Sequence, residues 1–225
     1  MNYFISFCLL IITFSCNSIK IGDKDNIDYF EGEIIYNIVY SNIIIDVSSD
    51  YLEENIGSKV ILTFKNGNHR KEYYSKSGKL LSVRILDLDK KKSFSKSTGE
   101  NTVDWIDITK QDTKLTFKRI KDSTIIGYSS IGIEAIGSTV VNEENISLTG
   151  TFFYAKELNV NPEWYKDYKE ANFNEIIKIG KGLSVSEVSN TPYWVSTLNA
   201  VEVKRRKVSD SELKINLSGC KLIEL

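Results

Sequence analysis

Ile34, Tyr36, Ile38 and Tyr40 alternate with Glu33, Ile35, Asn37 and Val39. Side chains two apart on an extended chain share a face, so this stretch predicts a long strand with one wholly apolar side. Val60, Leu62 and Phe64 alternate in the same way with Lys59, Thr63 and Lys65. The Asn66-Gly67 pair that follows predicts a tight hairpin, because both residues tolerate positive φ, and 69–75 forms its return strand. A second hairpin is predicted at Ser77-Gly78. Further strands are expected over 80–88, 92–97, 103–108, 114–120, 123–129, 132–137, 147–155, 182–188 and 193–208. The tail 213–225 holds a last strand or two, with Gly219 at a turn. Short strands at close spacing with turn residues between them read as an antiparallel sandwich or barrel rather than as βαβ units. Helix is scarce. Asn161 as a cap, Pro162 at the first helical position and Glu163 behind it predict one over 161–170, and a second is expected over 50–55 after Ser49.

The amino end follows a different pattern. Residues 1–15 carry no charged side chain, and the apolar run from Phe4 to Phe14 is broken only by Ser6, Cys8 and Thr13. A bilayer-spanning helix needs about 20 apolar residues. This run instead has the length of a secretory signal. Thr13-Phe14-Ser15-Cys16 has the form of a lipobox, a small residue before a cysteine that is acylated on sulfur and becomes the new first residue. Phe14 and the absence of a basic start depart from the usual pattern. The other reading is an ordinary signal peptide cut nearby, leaving Cys16 free. Residues 1–15 are thus read as a lipoprotein signal peptide, 16–28 as a polar tether after lipidated Cys16, and 29–225 as a single antiparallel β domain.

Composition adds exclusions. The chain has 225 residues, 41% of them hydrophobic, which suffices for a core. With 29 Lys+Arg against 30 Asp+Glu, the net charge of -1 lacks the basic excess that holds phosphate backbones, so nucleic acid is not an expected partner. Of three cysteines, only Cys16 and Cys220 outlast removal of the signal. Acylation of Cys16 leaves Cys220 a lone thiol; without it a Cys16–Cys220 bridge is open.

The search for catalytic chemistry finds little. His69 is the only histidine and is expected to be a solvated turn residue, which excludes His-rich metal sites by count. Gly127-Tyr128-Ser129-Ser130 begins like a nucleophile elbow, but Ile131 stands where the closing glycine belongs and no helix follows. Asp87 and Asp89 share a strand face as candidate calcium or acid/base carboxylates. Lys90, Lys91 and Lys92 then occupy the places of further oxygen ligands, so a charged turn is the stronger reading. Lys204-Arg205-Arg206-Lys207 is split between faces if it lies in a strand. Gly180-Lys181-Gly182 lacks the rest of a dinucleotide fingerprint. No cofactor, metal or catalytic residue is assigned, and the chain is not expected to be an enzyme.

Aromatic residues are the remaining signal, with 12 Tyr, 10 Phe and 3 Trp. Most suit a sheet core. A curved sheet that does not close on its own side chains leaves a cavity, for which Tyr36, Tyr40, Phe64, Phe152, Tyr154, Trp164 and Trp194 are the candidate ligand-binding residues, under the 161–170 helix.

Several of these segments, taken in order, are similar to a known group. Phe30-Glu31-Gly32-Glu33-Ile34-Ile35-Tyr36 resembles the opening F-x-G-x-I-x-Y strand of uncharacterised Gram-negative lipoproteins related to the GLPGLI family. Lys65-Asn66-Gly67-Asn68-His69-Arg70 resembles their lysine-asparagine-glycine hairpin followed by an arginine. Ile126-Gly127-Tyr128 and Val160-Asn161-Pro162 resemble their I-x-G-Y and I-x-P segments. Ser129-Ser130 stands where many relatives carry Lys-Cys, which leaves Cys220 without the partner such relatives offer. The resemblance implies a LolA-like fold, a strongly curved antiparallel sheet forming an incomplete barrel with one or two short helices on its open side. It also implies a place in the Gram-negative cell envelope, facing the periplasm and anchored at the outer rather than the inner membrane. Two functions follow as expectations: a binding module for a lipid, acyl chain or other apolar ligand, or an envelope scaffold with a filled core that docks a protein partner.

Overall fold

A computed structural model describes residues 28–111, 113–141 and 144–225. The signal segment, Cys16 and the tether up to residue 27 lie outside the described residues. The first strand, β1 (Gly32–Ser41), buries Ile34, Tyr36, Ile38 and Tyr40 and turns Asn37 and Val39 outward, as its alternation requires. A short helix, α1 (Ser49–Asn55), follows it. Ser48 caps this helix by accepting from the Tyr51 amide at 3.1 Å, and Leu52 plugs into the core.

Next come β2 (Lys59–Lys65), β3 (Asn68–Tyr74), β4 (Leu80–Asp87), β5 (Lys92–Ser97) and β6 (Thr102–Asp107), a run of antiparallel neighbours. Then follow β7 (Lys114–Arg119), β8 (Ser123–Ile125), β9 (Tyr128–Val141) and β10 (Glu144–Asn159). The expected strand 123–129 is cut in two because Ile126 (φ 43) and Gly127 (φ 85) form a tight turn, and β9 starts immediately after it. The expected strands 132–137 and 147–155 are parts of a hairpin of 14 and 16 residues. After the helical segment come β11 (Gly182–Asn190), β12 (Val195–Arg205) and β13 (Lys221–Glu224).

Among the described residues the strands join in one sheet, β13-β6-β5-β4-β3-β2-β1-β12-β11-β10-β9-β7, with β8 also on β9. Pairing is antiparallel except for β13, which runs parallel to β6 after the tail has crossed the sheet. From β6 to β7 is ten steps along this order, about 48 Å in a flat sheet. The chain from Asp107 to Lys114 spans at most about 25 Å. The sheet therefore has to curl until its two wings approach, and it forms a strongly curved, incomplete barrel with short helices on its open side, the fold class expected.

The helical cover differs from expectation. Asn161 does act as a cap, accepting from the Glu163 amide at 3.0 Å, but Pro162–Tyr165 is a single 3₁₀ turn rather than a helix running to 170. Ala171 and Asn172 both take left-handed backbone conformations, which restarts the chain as α2 (Phe173–Gly180). The cover ties both wings. The amides of Lys169 and Glu170 donate to the Ile108 carbonyl beyond β6, and the Asn172 side chain accepts from the Leu115 amide of β7. On the convex side the tail lies over β2–β5. The Lys65 ammonium donates to the Val208 carbonyl, and the Arg70 guanidinium to the Lys214 carbonyl. Val83, Ile85 and Phe94 are buried on this outer face.

Candidate functional site

Strand register assigns the concave face residue by residue. Phe64 pairs with His69, Leu62 with Lys71 and Val60 with Tyr73. His69 then pairs with Leu86, and Lys71 with Arg84. On the other wing Leu198 pairs with Glu187, Glu187 with Phe152, Phe152 with Ile133, and Ala135 with Phe117. Directly paired residues point to the same side, so these side chains form one continuous inner surface.

The middle of that surface is filled. Phe64 has no exposed surface and lies between Phe30 and Trp164, at centroid distances of 6.1 and 6.4 Å. Tyr165 is buried beside them and its hydroxyl donates to the Gly67 carbonyl at 3.1 Å. Gly180 of α2 sits on the Tyr154 ring so closely that a Cβ there would be 2.5 Å from Cγ. The cavity expected beneath 161–170 is therefore occupied by the protein's own aromatic side chains. Of the seven candidate residues, Tyr36, Tyr40, Phe64 and Tyr154 are at most 6% exposed and serve as core. Tyr36 donates to the Ser184 carbonyl and Tyr40 to that of Gly57. Burial pushes the Tyr40 hydroxyl up to about 12 and that of Tyr36 well above its ordinary value. Trp164 and Trp194 are half-buried at opposite ends, Trp194 edge-on to Tyr40 at 6.3 Å. Phe152 alone of the seven lines an open pocket.

That pocket, of about 160 Å³, is bounded by Leu115, Ala135, Leu148, Gly150 and Phe152, with Ser189, Asn190 and Thr191 at its margin. Its walls come from β7, β9, β10 and β11. On the other wing a recess of about 350 Å³ is lined by Arg84, Ser93, Ser95, Asp104, Trp105, Ile106 and Leu225.

Between the two lies a group of charges that the strand alternation alone does not reveal as a site. Lys71 points inward from β3, where burial would lower its pKa, but the Glu187 carboxylate facing it holds the ammonium above its ordinary value. Glu187 accepts a hydrogen bond from the Ser184 hydroxyl. The Arg84 guanidinium lies 5.2 Å from the Tyr73 ring centroid, and Tyr168 from the helical cover neighbours both cations. His69, expected as a solvated turn residue, is instead on β3 facing inward, and burial with the Lys71 charge pulls it down to about 3. The signal that finds these residues is the two-residue Asn66-Gly67 turn. It places Lys65 opposite Asn68, hence Lys71 opposite the core residue Leu62.

The other motifs are structural. Asp87 accepts from the Lys90 amide at 3.0 Å and closes the β4–β5 turn. Ile126-Gly127 is the hairpin turn, and the Ser130 hydroxyl donates to the Tyr128 carbonyl. The basic run is matched by acids, Lys204 by Glu202, Arg206 by Glu33 and Glu212, and Lys207 by Glu31. Lys181 follows α2 in a left-handed conformation as its C-cap. Cys220 is a free thiol that accepts from the Lys96 ammonium at 3.1 Å.

These features define the chain as a mainly β protein whose incomplete barrel keeps a partly open inner face. No family profile and no curated protein matches its sequence. Among solved structures, the crystal structure of LprF from Mycobacterium bovis superposes at 10% identity and a TM-score of 0.34, covering 80% of this chain and 88% of that one.

Proposed function

We propose that the protein is a lipid-anchored binding module of the Gram-negative periplasm, held at the outer membrane through Cys16, that takes one apolar chain on its concave face and performs no catalysis. The observation that carries this reading is the pocket of about 160 Å³ whose walls at Leu115, Ala135, Leu148 and Phe152 are left apolar and open on an inner surface whose centre is packed. Drug-sized ligands occupy roughly 300–1,000 Å³. A pocket half that size suits the end of a single acyl chain rather than a whole multi-chain lipid. Its walls come from paired strands, so it is preformed.

Titration of the delipidated mature protein with a fluorescent fatty acid tests this directly. Saturable uptake is expected, and Leu148→Trp, which fills the pocket from its rim, is expected to weaken it by about tenfold or more. Absence of uptake by the wild-type protein would leave the scaffold reading, which the filled centre around Phe64 and Tyr165 favours. Mass spectrometry of the mature amino terminus should find a diacylglyceryl group on Cys16; a free thiol there would remove the anchor.

A further inference from the structure

We infer that Lys71 and Arg84 form a headgroup site, so that the ligand is a single-chain amphiphile with an anionic head, a carboxylate or a phosphate monoester. This rests on the binding-module reading and specifies its substrate class. Three observations carry it. Lys71 and Arg84 are direct partners in the β3–β4 register and so present two like charges side by side on the inner face, an arrangement that repels unless an anion lies between or above them. Among the described residues neither cation takes part in an ion pair or a side-chain hydrogen bond, whereas most of the other basic side chains of the strands and the tail are matched. The acids nearby fill the place only in part. Glu187 balances the Lys71 charge while accepting from Ser184, and Asp104 stands two strands from Arg84, beyond Ser95, so among the described residues no carboxylate pairs with Arg84.

The position also fits a chain of the length expected. Arg84 lines the recess of about 350 Å³, and Lys71 faces Glu187, whose register partner Phe152 forms a wall of the apolar pocket. Both cations therefore stand on the same inner surface as the apolar walls, on the opposite wing of the sheet. His69 adds no positive charge, because it stays neutral beside Lys71.

Calorimetric titration of the mature protein with dodecanoate, dodecyl phosphate and dodecanol distinguishes the sources of charge from the chain itself. At least one of the anionic probes is expected to bind about tenfold tighter than dodecanol, the scale of a charge-assisted hydrogen bond. In the Lys71→Met, Arg84→Met double variant that preference should vanish while dodecanol affinity is kept, and Lys71→Arg should retain it. Which anion wins tells carboxylate from phosphate. Equal binding of all three probes by the wild-type protein, or a preference that outlasts the double variant, would overturn the headgroup site and leave the binding module standing. Failure of all three to bind would overturn both.

Discussion

The Tyr165 hydroxyl donates to the Gly67 carbonyl across 98 residues of sequence, joining the tip of the β2–β3 hairpin to the 3₁₀ turn that covers the sheet. Two short segments that each look like local punctuation, Asn66-Gly67 and Asn161-Pro162, thus meet in one contact. Leu88 and Trp164 close around the same glycine. This contact is what fills the centre of the concave side and confines open surface to the two wings.

Removing the hydroxyl tests the contact with little change of shape. Tyr165→Phe leaves the ring in place and a buried carbonyl without its partner, so a loss of about 1–2 kcal/mol is expected. Urea denaturation should show a lower midpoint with an unchanged slope.

Gly67→Ala should do more damage. The backbone there has φ +83, and an added Cβ would sit 2.6 Å from Leu88 Cδ1 and 3.0 Å from Trp164 Cβ. Backbone strain and overpacking together should cost about 2–4 kcal/mol. Gly78→Ala is the control, at φ +86 with nothing within 4 Å. It carries the backbone penalty alone, about 1 kcal/mol, and the difference between the two midpoints measures the packing.

Gly180→Ala probes the seat of α2. A Cβ placed 2.5 Å from the Tyr154 ring has no room, because the ring is held in the core. The helix should lift, with a loss of about 1–3 kcal/mol. Hydrogen exchange should speed up selectively at the amides of 173–180, and loss of protection spread evenly over the sheet would contradict this seat.

The depressed His69 predicts a pH dependence. Its folded value of about 3 lies below the unfolded value of about 6.5. Above pH 6.5 neither state binds the proton, and the stability is complete. As pH falls below 6.5 the unfolded chain takes up a proton that the folded protein refuses, so stability declines by at most about 1.4 kcal/mol per pH unit until the folded value is reached. His69→Gln should flatten the fall in melting temperature between pH 7 and 4 relative to the wild type. Parallel curves would show that His69 is solvated after all.

Much of the sheet was legible in local pattern. The β1 alternation named its own buried residues, Asn66-Gly67 set a register, and Asn161-Pro162 marked a helical cap. What misled was length. A helix over 161–170 is expected because its cap is good, yet the helical turn ends at Tyr165 and the amides of Lys169 and Glu170 are taken by the Ile108 carbonyl beyond β6. The parallel pairing of β13 with β6 likewise depends on the path of the tail over the convex face.

The sequence by itself determined which residues share a face, because the period of a strand is a property of the backbone. It also determined the reversal at Asn66-Gly67 and that a mainly antiparallel β fold with little helix results. Only the tertiary structure decided how much of the inner face is filled. Volume depends on which distant side chains arrive at the same place, as Tyr165 does at Gly67 and Gly180 at Tyr154. It likewise decided that Lys71 stands inside the curve beside Arg84 and opposite Glu187. Charges from three strands become a site only when curvature turns them toward one another.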